Sequence, residues 1–229
     1  MITATYIDHM GSDLSVVNAA RVSFGKKSEW DVSYDCMQVT RVNLLSDRDA
    51  KLINYLAKHK HISPFGHAFA SFHVKAPIFV ARQLVKHKFL RWNEISRRYV
   101  DDEPEFYTPE VWRGRSADKK QGSDGVSVWN HGQGTGYREQ EYEVMQEVAW
   151  LYGKMVKLGV APEQARMVLP QSTVTEWIWS GSLDAFADMC RLRCASDTQY
   201  ETRLVADDIS KKMSELFPVS WSALMVCRS

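Results

Sequence analysis

The chain has 229 residues and a formal net charge of +1. That balance excludes a protein that coats nucleic acid or membrane surfaces through one large field of a single sign. With 45% hydrophobic and 25% charged residues, the composition is that of an ordinary soluble globular protein, long enough to bury a substantial core.

"ITATYI" reads as a first strand from its β-branched content. "SDLSVVNAARVSF" predicts a helix with Ser12 or Asp13 as N-cap and Leu14, Val17 and Arg21 along one side. Residues 25–45 show no clear period and are expected to be loop with short elements. "SDRDAKLINYLAKHKH" predicts the next helix, with Ser46 and Asp49 as a capping box, an apolar stripe of Leu52, Ile53 and Leu56, and basic residues in its last turn. "HAFASFHVKA" alternates as a strand with Phe69, Ser71 and His73 on one face. Pro77 then opens a helix, "PIFVARQLVKHKFL", with Ile78, Ala81, Leu84 and Val85 on its apolar face.

Between Asp101 and Gln140 the composition changes. Six of the twelve glycines fall between Gly114 and Gly136, so residues 101–140 are expected to form a flexible polar insert within a single catalytic domain, 1–229. "YREQEYEVMQEVAWLYGKMVKLG" predicts a long amphipathic helix closed by Gly159. "APEQARMVLP" is a short helix between two prolines, "STVTEWIWS" a strand, and "SLDAFADMCRLRCASD" and "TQYETRLVADDISKKMSELF" are two final helices or one continuous helix. The fold class is α/β: a single mixed domain with a helix-rich C-terminal half.

No window approaches the ~18 apolar residues of a membrane span. The N-terminal stretch lacks the basic start and apolar run of a signal peptide. Cys36, Cys190, Cys194 and Cys227 show no CxxC spacing and read as reduced thiols. A cytoplasmic protein is expected. His59, His61, His67 and His73 raise the question of a metal, but His59 and His61 fall on different helix faces and no Asp or Cys completes a set, so none is expected. Capping by His59 and hydrogen bonding by His61 or His67 are expected instead.

The chemistry concentrates in "KHKFLRWNEISRRY", Lys86–Tyr99. From Arg82 to Arg98 there are six Lys or Arg residues, one His and a single acid, Glu94. Interleaved Phe89, Leu90, Trp92, Ile95 and Tyr99 keep the stretch from being wholly exposed, and partly buried cations need anionic partners. One carboxylate cannot balance six cations, whereas a phosphorylated ligand can. Asn93, Ser96 and Tyr99 add neutral donors. A second pole is "LRCASDTQYETR". Arg193 in it and Arg191 just before it lie two apart on different helix faces, so one of them can point inward. Arg166, held between Pro162 and Pro170, is a further candidate.

Lys86–Tyr99 resembles the signature of the flavin-dependent thymidylate synthases, Arg-His-Arg-x-x-Ser-x-Asn-Glu-x-Ser-x-Arg-Tyr. His87, Asn93, Glu94, Ser96, Arg98 and Tyr99 match, Lys86 and Lys88 replace arginines, and Arg91 replaces a serine. "AARVSF", "HISPFGH", "FHVKAPIFVARQ", "ARMVLP" and "LRCASDTQYE" follow the family's order and spacing. The resemblance implies a homotetramer whose active sites form between subunits. It implies reductive methylation of dUMP to dTMP, with methylenetetrahydrofolate as carbon donor and FADH2, regenerated by NADPH, as hydride donor.

By position, the resemblance makes Arg193 the catalytic arginine that polarises the uracil ring. It assigns dUMP binding to Gln83, Lys86, Glu94, Ser96, Arg97, Arg98 and Arg166. It assigns FAD binding to Ser63, Lys86, His87, Lys88, Glu94, Ser182 and Asp188. Three acids depart from the family: Asp184 stands where it often has Arg, Asp188 where it often has Asn and Asp197 where it often has His; Ser182 stands where it often has Asn. An acid beside a flavin phosphate would repel it. The alternative reading is a related enzyme that modifies C5 of dUMP differently, for instance by hydroxymethylation. A more remote one is a nucleic-acid-binding module, against which the near-neutral charge and the absence of a second basic stripe argue.

Overall fold

Period-two stretches of this sequence pair into one sheet, and stretches with helical period pack across its apolar face. In the computed structural model, residues 1–35, 40–100, 102–116, 123–127 and 137–226 are described. In chain order they form β1 (Thr3–Met10), α1 (Asp13–Arg21), β2 (Asp31–Asp35), β3 (Thr40–Leu44), α2 (Asp47–Lys58), β4 (Phe69–Pro77), α3 (Ile78–Leu84) and β5 (Leu90–Glu94). There follow β6 (Arg113–Arg115), β7 (Ser123–Ser127), α4 (Tyr137–Lys157), α5 (Pro162–Ala165), β8 (Val174–Ser182), α6 (Leu183–Arg193), α7 (Tyr200–Leu216) and α8 (Pro218–Val226). This is a mixed α/β domain whose described C-terminal half is mostly helical.

The central sheet is antiparallel throughout, with strand order β1-β4-β8-β5. Alternation decides its faces. Ala70, Phe72, Val74 and Ala76 of β4 and Trp177 and Trp179 of β8 are buried. Phe186 of α6 meets Phe72 edge-on at 5.3 Å and Trp179 at 5.6 Å. Ser71, His73, Lys75, Glu176 and Ser180 occupy the opposite face, where His73 pairs with Glu176 at 2.9 Å and Ser71 with Ser180 at 2.8 Å. A Cβ on Gly181 would collide with the Leu90 side chain and lie 3.2 Å from the Phe89 carbonyl, so the close arrival of β5 requires glycine there.

The capping signals hold at α2, where Ser46 Oγ accepts from the Asp49 amide at 3.2 Å. α1 and α2 are joined by a hydrogen-bonded ion pair between Arg21 and the buried Asp49. Gly159, with φ +83°, ends the last turn after α4 as expected.

Several expectations need correction. The helix predicted over Pro77–Leu90 stops at Leu84, and its buried face is Val80, Ala81 and Leu84, while Val85 is exposed. Phe89 adopts φ +64°, a left-handed turn that a helix cannot carry, and the aromatic and branched residues beyond it pair as β5 with β8. Residues 25–45, where loop with short elements was expected, do contain short elements, the antiparallel pair β2–β3. The expected insert contributes a second pair, β6–β7, and Phe106 forms a bridge with Thr173. Residues 36–39, 101, 117–122 and 128–136, within these two regions, lie outside the described residues, as does Cys227. α6 and α7 are separate helices, and a third, α8, follows them. α8 was missed because its mean period is weak: it is apolar nearly all round, with Trp221, Ala223 and Leu224 buried.

Candidate active site

The early end of α3 shapes the site. Its last turn carries Gln83, and the turn after it carries Lys86, His87 and Lys88 beside the C-terminal end of α6, which carries Arg193. The Arg193 Nε donates to His87 Nε2 at 3.0 Å. His87 is therefore a neutral acceptor, protonated on Nδ1. Burial, then the neighbouring Arg193 charge, push its pKa down from 6.5 to about 4, with Asp188 opposing. Burial also lowers the pKa of Arg193 from its ordinary value. No carboxylate pairs with Arg193 among the described residues. Of the two arginines on α6, Arg193 is the inward one. Arg191 donates to the Leu224 carbonyl at 2.9 Å and pairs with Asp188.

Gln83 and Arg193 line a cleft of roughly 960 Å³ together with Tyr107, Arg113, Tyr200 and Glu201. Gln83 is held by two neighbours on or next to α7: its amide donates to Gln199, and its Oε1 accepts from Thr202 Oγ1 at 3.3 Å. At the far end, the buried Glu201 carboxylate accepts from Arg113 and, at 3.3 Å, from the Tyr107 hydroxyl. Burial, then the adjoining Glu201 charge, push the Tyr107 phenol up to about 12. The Arg113 guanidinium also lies over the Tyr200 ring at 4.7 Å. Sequence reasoning missed this end of the cleft. Gln199 and Glu201 fall within the recognised segment "LRCASDTQYE", but Tyr107 and Arg113 come from the polar insert, where nothing in the local pattern marked them.

The remaining sequence candidates do not line this cleft. Glu94, at the end of β5, accepts from Thr175 Oγ1 at 2.7 Å and from Trp92 Nε1 at 3.1 Å. Ser96 Oγ accepts from the Arg98 amide and from Arg98 Nε, both at 3.3 Å, and the exposed Arg98 guanidinium covers the Tyr99 ring at 5.1 Å. Arg97 is engaged on another side, donating to the Asp102 carbonyl at 2.8 Å and lying 5.9 Å above the Tyr152 ring. Arg166 is exposed on a 3-10 turn, with Nε donating to the Glu163 carbonyl at 3.3 Å. Among the described residues no hydrogen bond or ion pair joins Arg98 or Arg166 to Gln83, His87 or Arg193.

Of the residues expected at a flavin, Ser63 is exposed at the head of the 3-10 turn Ser63–His67, and Ser182 is the buried N-cap residue of α6. Lys86 and Lys88 are exposed, with no acidic partner among the described residues. Asp188 pairs with Arg191. His59 ends α2 as expected, its ring 4.2 Å from Tyr55, and His61 packs edge-on to the same ring at 6.0 Å. The arrangement can stabilise negative charge on a planar ring at Arg193 and can bind phosphate at several exposed cations.

The family model described as "Thymidylate synthase complementing protein" matches residues 5–219. The chain is 37% identical over 222 residues to a flavin-dependent thymidylate synthase of Thermus thermophilus, covering 95% of this chain and 73% of that protein. It is 34% identical over 223 residues to the flavin-dependent thymidylate synthase of Thermosipho melanesiensis, covering 96% of this chain and 88% of that protein. Among solved structures it is similar to the UMP/dUMP methylase PolB of Streptomyces cacaoi bound with 5-Br UMP, with a TM-score of 0.78 and 27% identity over 99% of this chain and 95% of that one.

Proposed function

Because this chain belongs to the family of flavin-dependent thymidylate synthases, we propose that it methylates dUMP at C5 to give dTMP, taking the carbon from methylenetetrahydrofolate. The observation that carries this reading is the part-buried Arg193 guanidinium, which lines a cleft and has no carboxylate partner among the described residues. C5 of uracil is a weak nucleophile, and the reaction builds negative charge on N3 and the ring carbonyls. An arginine that keeps its full charge in a site shielded from water stabilises that charge without a cysteine attacking C6. The sequence fits such a route, since no cysteine follows a proline.

FAD is the family's cofactor, and the residues present fit it. Lys86 and Lys88, which have no acidic partner among the described residues, offer two cations to its diphosphate, and Asp188, one of the acids that depart from the family, has its charge taken up by Arg191. Ser63, His87, Glu94 and Ser182 complete the proposed flavin contacts. When reduced, the flavin supplies the hydride that turns the transferred carbon into a methyl group, and NADPH restores it. Gln83, Lys86, Glu94, Ser96, Arg98 and Arg166 hold dUMP, with the arginines on its phosphate.

Arg98 and Arg166 are exposed and do not line the cleft that holds Gln83 and Arg193, which supports an active site completed by a second copy of the chain in a homotetramer. The bond between Asp188 and Arg191 takes up one of the altered charges that favour a different C5 chemistry on this scaffold; Asp184 and Asp197 are not answered by it. Purified protein supplied with FAD should show flavin absorbance and release tritium from labelled C5 of dUMP in the presence of methylenetetrahydrofolate and NADPH. A colourless protein that takes up no FAD and releases no tritium would sink the proposal, and a product heavier by one oxygen would redirect it to hydroxymethylation.

A further inference from the structure

The His87–Arg193 contact assigns His87 a task separate from flavin binding. A guanidinium on a flexible stem loses rotamer freedom when it must face a ligand in one orientation, so something has to hold it. In ion pairs that work falls to a carboxylate. A carboxylate here would also cancel much of the charge that the cleft needs. His87 Nε2, accepting from Arg193 Nε at 3.0 Å, fixes the plane of the guanidinium while adding no negative charge.

The bond uses Nε alone. The two terminal amines of Arg193 have no partner among the described residues, and Arg193 lines the cleft. Those amines are therefore the ones left for a ligand. Two effects keep the imidazole in its accepting form: burial disfavours the imidazolium, and so does the guanidinium itself. Asp188 works the other way, and its charge is shared with Arg191.

We propose that His87 is a positioning residue for Arg193, a neutral acceptor that aims the guanidinium at the nucleotide base without reducing its charge. This rests on the reading of Arg193 as the arginine that polarises uracil. It also accounts for a histidine between two lysines in a stretch otherwise suited to phosphates. Lys86 and Lys88 are exposed on either side of it, while the part-buried imidazole turns to α6.

The test compares His87→Gln, whose side-chain oxygen can accept where Nε2 does, with His87→Leu, which fills space without accepting. In His87→Leu, kcat for dTMP formation measured on protein saturated with FAD should fall about 10- to 100-fold, the range for a lost hydrogen bond to a charged group. His87→Gln should recover most of that loss. His87→Leu combined with Arg193→Ala should be no slower than Arg193→Ala alone, because two residues acting as one unit are not additive. Equal losses of kcat in the FAD-saturated Gln and Leu variants, or additive effects in the double variant, would each overturn the proposal.

A second measurement does not depend on the reaction. Nitrogen NMR of the imidazole in the full-length protein should report an unprotonated Nε2 and a pKa that rises in Arg193→Ala. An unchanged imidazole in that variant would overturn the contact whether or not the protein makes dTMP. A wild-type protein inactive on dUMP, with the imidazole signature intact, would instead count against the thymidylate synthase reading alone.

Discussion

At the residue scale, the site separates charge that must be kept from charge that must be balanced. Arg193 keeps its charge by having a neutral partner, whereas Arg113 and Glu201 cancel each other at the far end of the same cleft. Arg193→Ala should therefore lower kcat by about 10²- to 10³-fold, the usual cost of removing a donor aimed at developing negative charge, while the flavin spectrum stays that of the parent protein. Lys88→Ala should do the reverse, weakening FAD retention in gel filtration far more than turnover by protein saturated with FAD.

His87 adds a dependence on pH. Its pKa is about 4 in the folded chain against 6.5 for an ordinary histidine. Between those values the unfolded chain binds the extra proton and the folded chain does not, so acidification through that window favours unfolding. Urea midpoints measured from pH 7 down to pH 4 should fall less steeply in His87→Gln than in the parent. The motif named these residues, but which partner each would face was not legible. Spacing along the chain says nothing of the approach of α3 to α6.

At the element scale, what was legible followed from local chemistry, and what was missed came from tertiary partners. The central strands β4 and β8 and the caps of α2 could be read because alternation and capping act within a few residues. The end of α3 could not be. "PIFVARQLVKHKFL" has a helical pattern, and only pairing of "LRWNE" with β8 draws the chain out of the helix. The hairpin of β6 and β7 was hidden by a glycine-rich composition that matches a loop equally well. It is tied to α7 through Arg113 and Glu201. Arg113→Ala would leave the Glu201 carboxylate buried and uncompensated, a loss of about 3 kcal/mol that thermal unfolding should show. α8 is fixed from the opposite end of the chain. The buried Asp13 carboxylate accepts from the Val219 amide at 3.0 Å and from the Ser220 amide at 2.9 Å, capping the helix N-terminus. Asp13→Ala should lower unfolding free energy by about 1–3 kcal/mol in urea titrations, with little change in m-value.

At the scale of the whole molecule, the residues proposed to hold the nucleotide fall into two groups that no contact joins among the described residues. Gln83 and Arg193 line the cleft, with His87 bonded to Arg193, whereas Arg98 and Arg166 are exposed cations that do not line it. The proposed assembly with two-fold interfaces would bring one group from one subunit to the other group of a second, so that residues with no contact within a chain would act on one substrate. This leads to a complementation test. Arg193→Ala damages the base-facing half and Arg98→Ala the phosphate-facing half, so each variant alone should be nearly inactive. In a randomly mixed assembly of the two, about a quarter of the sites receive an intact half from each parent, since both halves must be drawn from the undamaged side. Unfolding and refolding the two variants together, or co-expressing them, should then recover about that fraction of parental activity, while mixing folded proteins without exchange should recover none. If joint refolding yields no more activity than the separate variants, the site is built within a single chain, and the exposed arginines must reach the cleft by a rearrangement of that chain instead.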